Sequence, residues 1–461
     1  MNVHFIAIGG SAMHNLAIAL KRKGYEVSGS DDEIFEPSRS RLAREGVLPE
    51  QMGWNEINIH KELDAVILGM HARADNPELL KAQELKIPIY SYPEFVYNQT
   101  KDKKRIVIGG SHGKTTITSM VLHVMNELQI ESDYLVGAQL DGFDCMVQLS
   151  EAPIVVIEGD EYLSSPVDRR PKFHWYRPHI GCISGIAWDH INVFPTFENY
   201  VEQFKIYTDK FEENGTLVFY EGDEQIINIV NQLRSDISIK PYHTPDFEVE
   251  NGVTYVNCKA GFNEDGQMTY KSVPLKIFGA HNLQNLMCAK LILEEIGVRE
   301  DQFFDAIQSF SGAAKRLEKI AENHVAVAYK DFAHSPSKLK ATVSAVKRQY
   351  PNRKLIACME LHTFSSLKKE FLPHYHECMA EADEAIVYFS PDVVAHKRLE
   401  PIDADQVKKA FGTENVSVYT DSSEITTYLR TVEWADTNLL LMSSGNFHGV
   451  DLNSFAQELI N

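Results

Sequence analysis

The sequence predicts a three-domain α/β protein built on parallel sheets, and three observations predict it. Apolar runs alternate with helical patterns near the N-terminus and again after about residue 323, and a strand near residue 105 runs into a glycine-rich loop and a helix. The third is length: 461 residues correspond to about three domains at roughly 100–200 residues each.

In the first segment Val3–Ile8 reads as a strand, Ala12–Lys23 as a helix stopped by Gly24, and Tyr25–Gly29 as the next strand. Ala65–Leu68, Pro77–Leu85 and Ile87–Tyr90 continue the rhythm of a Rossmann-like unit. The polar stretch Asn98–Lys104 carries no apolar periodicity, which places a boundary there and gives a first domain of residues 1–99. A P-loop ATPase-like α/β domain follows over 100–312. It has strands at Arg105–Ile108, Ile154–Glu158 and His179–Ile186, and an inserted antiparallel part over Val253–Phe278. From 313 to 461 a second Rossmann-like unit alternates His324–Lys330, Ser337–Arg348, Lys354–Met359, Lys368–Glu381, Glu384–Phe389, Asp403–Phe411, Val416–Tyr419, Ser422–Arg430 and Asn438–Ser443.

Lys plus Arg number 45 against 65 Asp plus Glu, a formal charge of 45 − 65 = −20. That argues against a nucleic-acid or anionic-membrane binder, because phosphate-backbone affinity needs clustered cations. Apolar stretches such as Asp64–Met70 fall far short of the roughly 20 residues of a membrane helix. Met1–Gly10 lacks the charged start and cleavage site of a signal peptide, and the six cysteines have no CxxC spacing, so the expectation is a reduced, cytoplasmic setting.

The strongest chemical signal is Arg105-Ile-Val-Ile-Gly-Gly-Ser-His-Gly-Lys-Thr-Thr116, whose helix continues apolar through Val121, Val124 and Leu128. Amides of Gly110, Ser111, His112 and Gly113 can converge on phosphate oxygens; Lys114 adds a point charge, and the hydroxyl of Thr115, next to Thr116, can ligate Mg²⁺. Gly109 and Gly113 enclose three residues where the generic phosphate loop has four. Near the N-terminus, Ile6-Ala-Ile-Gly-Gly-Ser-Ala-Met13 looks like a dinucleotide fingerprint with Ala7 and Ala12 in glycine positions.

The shortened loop resembles the Gly-Thr-x-Gly-Lys-Thr/Ser of the Mur ligase family, with Ser111 for the usual Thr, and the likeness extends over essentially the whole chain. It implies ATP and Mg²⁺ as cofactors, with Lys114, Glu158 and His190 catalytic and Thr115, Glu158 and His190 holding metal. Gly279-Ala-His-Asn-Leu-Gln-Asn285 matches the family's Gly-x-His-Asn-x-x-Asn, so Asn282 and Asn285 are expected to serve the nucleotide, as are Arg316 and Asp331. Asn282 also reads as a helix N-cap. Gly185 and Ala187 depart from the usual Asn and Glu. For the UDP-sugar the resemblance implies Gly9, Gly10, Ser11, Ala12, Met13, Ser30, Asp31 and His71.

Within the family, Glu158-Gly-Asp-Glu-Tyr162, Val167–Phe173 and Asp331-Phe-Ala-His334 resemble the peptidoglycan-recycling branch, which joins UDP-N-acetylmuramate to the tripeptide L-Ala-γ-D-Glu-meso-diaminopimelate. The alternative branch adds L-alanine and carries a His-Arg-Tyr-x-Arg stretch that helps engage the amino acid's carboxylate; here the stretch is His362-Thr-Phe-Ser-Ser366, without either arginine. The expected function is therefore tripeptide ligation through an acyl phosphate, with UDP-N-acetylmuramate and a murein tripeptide as partners and a monomer or weak dimer as the assembly. His362, Ser365, Ser366, Asn446 and His448 are expected to line the acceptor pocket. Two readings compete from other classes: a nicotinamide-dependent oxidoreductase, which leaves the Lys114 loop without a role, and a catalytically silent nucleotide-binding regulator.

Overall fold

A computed structural model of the chain describes residues 1–460 apart from 71, 138, 140–141, 189–192, 263–266, 314–315 and 413, and of 260–262 the backbone alone. The fold is α/β, with Rossmann-like parallel sheets at both ends of the sequence and an ATPase-like sheet between them. The chain packs as two compact units, Met1–His243 with Cys288–Phe303, and Thr244–Met287 with Phe304–Asn461.

The first unit holds two sheets. In the N-terminal one Asn2–Ile6 lies between Glu26–Ser30 and Ala65–Leu68, and Ile89–Ser91 forms the far edge, all parallel. The helix Ser11–Arg22 ends where Gly24 takes φ +90°, a conformation glycine adopts at no steric cost. The second sheet orders Ser238–Tyr242, Thr216–Tyr220, Ile180–Ile183, Lys104–Gly109, Ile154–Glu158, Asp133–Leu135 and Val147–Gln148, parallel except for the last pair. The two sheets are tied by the N-terminal helix, whose Asn15 Oδ1 accepts from Met146 N (2.9 Å).

The polar stretch around residue 100 has a reason the sequence hid. Tyr92–Thr100 is a helix started by Pro93, and the turn after it presents carbonyls to Arg105, a side chain only 1% exposed. The Arg105 guanidinium donates to the carbonyls of Thr100, Lys101, Lys103, Tyr176 and Arg177 and to Glu212 (2.6 Å), which satisfies a buried cation.

In the second unit Phe247–Glu250, Val253–Phe262 and Met268–Leu275 form the antiparallel part. The six-stranded sheet orders Glu318–Glu322, Val327–Asp331, Thr437–Met442, Lys354–Glu360, Glu384–Tyr388 and Val416–Tyr419, with only the first strand antiparallel. One expected element is absent: 368–381 is a run of turns around the short 3-10 helix Leu372–Tyr375, because Pro373 lacks the amide a continuing helix needs. Among the described residues no helix is long and apolar enough to cross a membrane, and all six cysteines are buried free thiols.

Candidate active site

The strand Lys104–Gly109 sits between Ile180–Ile183 and Ile154–Glu158, so its C-terminal end opens into the crevice where doubly wound sheets place ligands. The loop from Gly110 to Gly113 leads into the helix Lys114–Glu127, and loop amides at a helix N-terminus are an arrangement that can take an anion. Tight packing holds the loop. A Cβ on Gly110 would lie 2.1 Å from Ser184 Oγ, so only glycine fits there. Ser111 N donates to Gly185 O (2.9 Å), and its buried hydroxyl pairs with Tyr200 OH (2.8 Å) and accepts from Ala187 N (2.9 Å). Ser111 therefore locks the loop from beneath.

The glycine at 185 lies against the loop histidine. A Cβ on Gly185 would stand 2.3 Å from the His112 imidazole, so the glycine makes room for the loop histidine. Position 187 contributes its backbone amide to Ser111, which alanine supplies as well as glutamate does.

Lys114 Nζ donates to Gly110 O and to Glu161 Oε2, both at 2.6 Å. Burial alone would lower the lysine's pKa, but Glu161, Asp160 and Glu158 outweigh it and hold the ammonium above its usual range. Glu161 is 1% exposed and also accepts from Tyr200 OH (3.1 Å), while Asp160 pairs with Lys172 (2.5 Å). Burial pushes Asp160 up, yet Lys172 and Lys114 bring it well below the usual carboxylate range. The acidic turn after Glu158 is thus a set of partners for the site's cations.

Thr115 Oγ1 donates to Glu158 Oε1 (2.8 Å), and Glu158 Oε2 accepts from Gly137 N (2.9 Å). A hydroxyl and a carboxylate side by side at a phosphate loop are the hard oxygen donors Mg²⁺ takes alongside nucleotide phosphates, so these residues fit that ion. His190 and His71 lie outside the described residues. Asn282 lies in the first turn of the helix Ala280–Glu294, not at its cap, and its side-chain amide donates to Phe278 O (3.0 Å); Asn285 is buried one turn further on.

In the N-terminal sheet Gly9 N donates to Asp31 Oδ2 (2.7 Å), and Gly10 caps the helix without a side-chain partner. Ser11 and Ala12 are exposed at the helix start, whereas Met13 is buried in the core. Ser30 faces inward, its hydroxyl bonded to the fully buried Glu78, which also takes Asn58 Nδ2 (2.8 Å).

In the second unit Asp331 ends its strand and accepts from Leu317 N (2.5 Å) and Ala333 N (2.6 Å), and the Arg316 guanidinium lies 4.9 Å over the Phe332 ring. Burial raises the Asp331 pKa against the pull of Arg316. Ser366 is fully buried and its hydroxyl meets Thr363 Oγ1 (3.0 Å), so the two positions that would carry the arginines close on each other. Ser365 is half-buried, and Asn446 and His448 are exposed. Sequence reasoning missed Glu360, the buried end of Lys354–Glu360, which accepts from Ser443 Oγ and from Phe447 N (2.8 Å). A carboxylate at a strand's C-terminal end was the available signal.

Known proteins agree with this geometry. The Mur ligase middle domain matches residues 108–293, the "Mur ligase family, catalytic domain" residues 2–104, and the "Mur ligase, glutamate ligase domain" residues 315–445. A UDP-N-acetylmuramate–L-alanine ligase of Caldicellulosiruptor bescii is 31% identical over 428 residues, 91% of this chain and 88% of that protein. The chain belongs to the Mur ligase family. It is accordingly an ATP-dependent acid–amino-acid ligase, which sets aside the oxidoreductase reading. Among solved structures, the UDP-N-acetylmuramate–alanine ligase of Thermotoga maritima superposes with a TM-score of 0.69 at 20% identity, covering 100% of this chain and 98% of that one. A murein peptide ligase of Psychrobacter arcticus gives 0.63 at 20% identity over the same shares. Both show the shared Mur ligase fold.

The expectation of tripeptide ligation is corrected by these relatives, since the curated Mur ligases that match most of the chain at about 30% identity are named for L-alanine addition. The misleading stretch has a local explanation. Within residues 158–173, Glu161 pairs with Lys114 and Asp160 with Lys172, so part of the stretch serves the phosphate loop.

Proposed function

We propose that this Mur ligase joins L-alanine to UDP-N-acetylmuramate with ATP and Mg²⁺. The likeness of 91% of the chain to an L-alanine-adding relative carries the reading. A carboxylate is a poor electrophile, so the lactyl carboxylate first attacks the γ-phosphorus of ATP to give an acyl phosphate, which the amine of alanine then opens with loss of phosphate. Two anions meet in the first step, and Lys114 with the loop amides offsets their repulsion. Thr115 and Glu158 would hold Mg²⁺, which when bound supplies further positive charge at the phosphates. Before nucleotide arrives, Glu161 keeps Lys114 at the loop's edge, and the phosphates take its place as partner.

Residues 1–99 bind the UDP-sugar in this reading, with Gly9–Met13 at the diphosphate; 100–312 bind ATP, and 313–461 bind the amino acid. An ADP-release assay with UDP-N-acetylmuramate and ATP tests it, with L-alanine, glycine and the tripeptide compared as acceptors. L-Alanine should support turnover with the highest kcat/KM. ADP release that ignores L-alanine but requires the tripeptide would overturn the proposal.

A further inference from the structure

The loss of both arginines leaves this chain to handle its acceptor with other groups, and one buried cluster at the sheet's C-terminal edge is built around an imidazole. Glu360 is 3% exposed and takes Ser443 Oγ and Phe447 N, two donors from the loop that follows Thr437–Met442. Its Oε1 lies 3.4 Å from His362 Nδ1. That nitrogen is buried without a well-aligned hydrogen bond, while about a third of the His362 side chain is exposed, so the ring turns its Nδ1 edge inward and another edge outward. Catalytic hydrogen bonds are often long in free enzymes and tighten with substrate. A Cβ on Gly445 would stand 2.8 Å from Nδ1 and 2.9 Å from Glu360 Oε2, so the glycine lets the loop close over the pair. Burial would raise the Glu360 carboxyl, but His362, Ser443 and Phe447 outweigh it and keep the group below the usual range, as an acceptor for Nδ1–H.

We propose that Glu360 is a positioning residue that fixes the His362 ring with Nδ1–H inward, so that Nε2 takes the proton of the incoming amine. The proposal rests on the reading that L-alanine is the acceptor. Alanine arrives as an ammonium, which has no lone pair to attack with. One proton passes to Nε2; the freed pair forms the C–N bond to the acyl carbon, and the C–O bond to phosphate breaks with its electrons leaving on phosphate. The second proton leaves nitrogen for solvent as the tetrahedral intermediate collapses, and the imidazolium returns its proton to solvent. A carboxylate behind a histidine is the usual means of fixing which nitrogen carries the proton.

The test compares L-alanine with hydroxylamine, a nucleophile largely unprotonated at neutral pH that traps the acyl phosphate as a hydroxamate without needing a base. For wild type, E360Q, H362N and the double variant, both ADP release with L-alanine and hydroxamate formation are measured. His362→Asn should lower kcat with L-alanine about 100-fold, the scale of one general base. Glu360→Gln should lower it at least about tenfold, the scale of an outer-shell partner. Hydroxamate formation and the KM values for ATP and the UDP-sugar should stay near wild type, and the double variant should be no slower than H362N. Equal losses with both nucleophiles, fully multiplicative effects in the double variant, or an E360Q enzyme as fast as wild type would overturn the inference. If E360Q does not fold, H362N alone decides by the same alanine-to-hydroxylamine contrast. A wild type that forms hydroxamate but ignores L-alanine would instead sink the acceptor reading.

Discussion

Lys114 is the residue on which the proposed phosphate site turns, and its partner makes its removal more than a loss of charge. Lys114→Ala should lower kcat by about 10²–10³, the scale of losing one preorganised transition-state contact. It also takes the cation from Glu161, 1% exposed, leaving it the Tyr200 hydroxyl, and breaking a buried pair costs about 3–5 kcal/mol. Adding Glu161→Gln should recover most of that stability in urea melts without recovering ADP release. Turnover near wild type in Lys114→Ala at saturating ATP would remove the loop from the mechanism. Asp31 gives a second residue-scale expectation. Burial pushes its pKa from 3.8 up to about 6, against the pull of Gly9 N and beside Asp32. An acid whose folded pKa is raised binds more protons folded than unfolded, so its contribution to stability declines as pH rises from about 4 to 6 and stays unfavourable above that. Asp31→Asn should therefore stabilise the protein at pH 7–8, on the order of 1–3 kcal/mol at about 1.4 kcal/mol per pKa unit. No gain should appear below pH 4, and an equal gain at pH 4 and pH 8 would place the cause elsewhere.

At the scale of elements, the loops at strand ends carry the proposed site and their close approaches set which side chains they tolerate. The turn after Ile180–Ile183 packs Gly185 against His112 of the phosphate loop. Gly185→Asn, the substitution toward the family's usual residue, should displace His112 and cost about 1–3 kcal/mol, as overpacking does. Raised KM for ATP with unchanged KM for L-alanine would accompany it, and a neutral effect on both stability and ATP use would show that the loop repacks freely. The strands and the helix after Lys114 were legible because apolar periodicity and a phosphate loop are local in sequence. The 368–381 segment misread because its length and charge pattern suit a helix while Pro373 interrupts it. Groups whose partners are far apart were not legible: Lys114 meets Glu161 47 residues on, and Glu360 meets Ser443 83 residues on. Arg105 looked like the start of a strand, and only the folded chain gathers the carbonyls that bury it.

For the molecule as a whole, the excess of acid sets how anionic substrates approach. The formal charge is −20, and both proposed nucleotide substrates are anions. Local cations could override that field, but Lys114 is held by Glu161 and Lys172 by Asp160. With these two cations paired, the expectation is that the net charge of the chain sets the field a substrate meets at a distance. Screening should help it in: between about 0.01 and 0.15 M salt the Debye length falls from roughly 30 to 8 Å, and KM for UDP-N-acetylmuramate should fall about two- to threefold. Magnesium must be held constant, because it changes the charge of ATP as well as screening the protein. With kcat unchanged, the shift assigns the effect to approach rather than to chemistry. A KM that instead rises steeply with salt would mean that a cationic surface guides the substrate, and the paired lysines would then have to exchange partners before binding rather than during it.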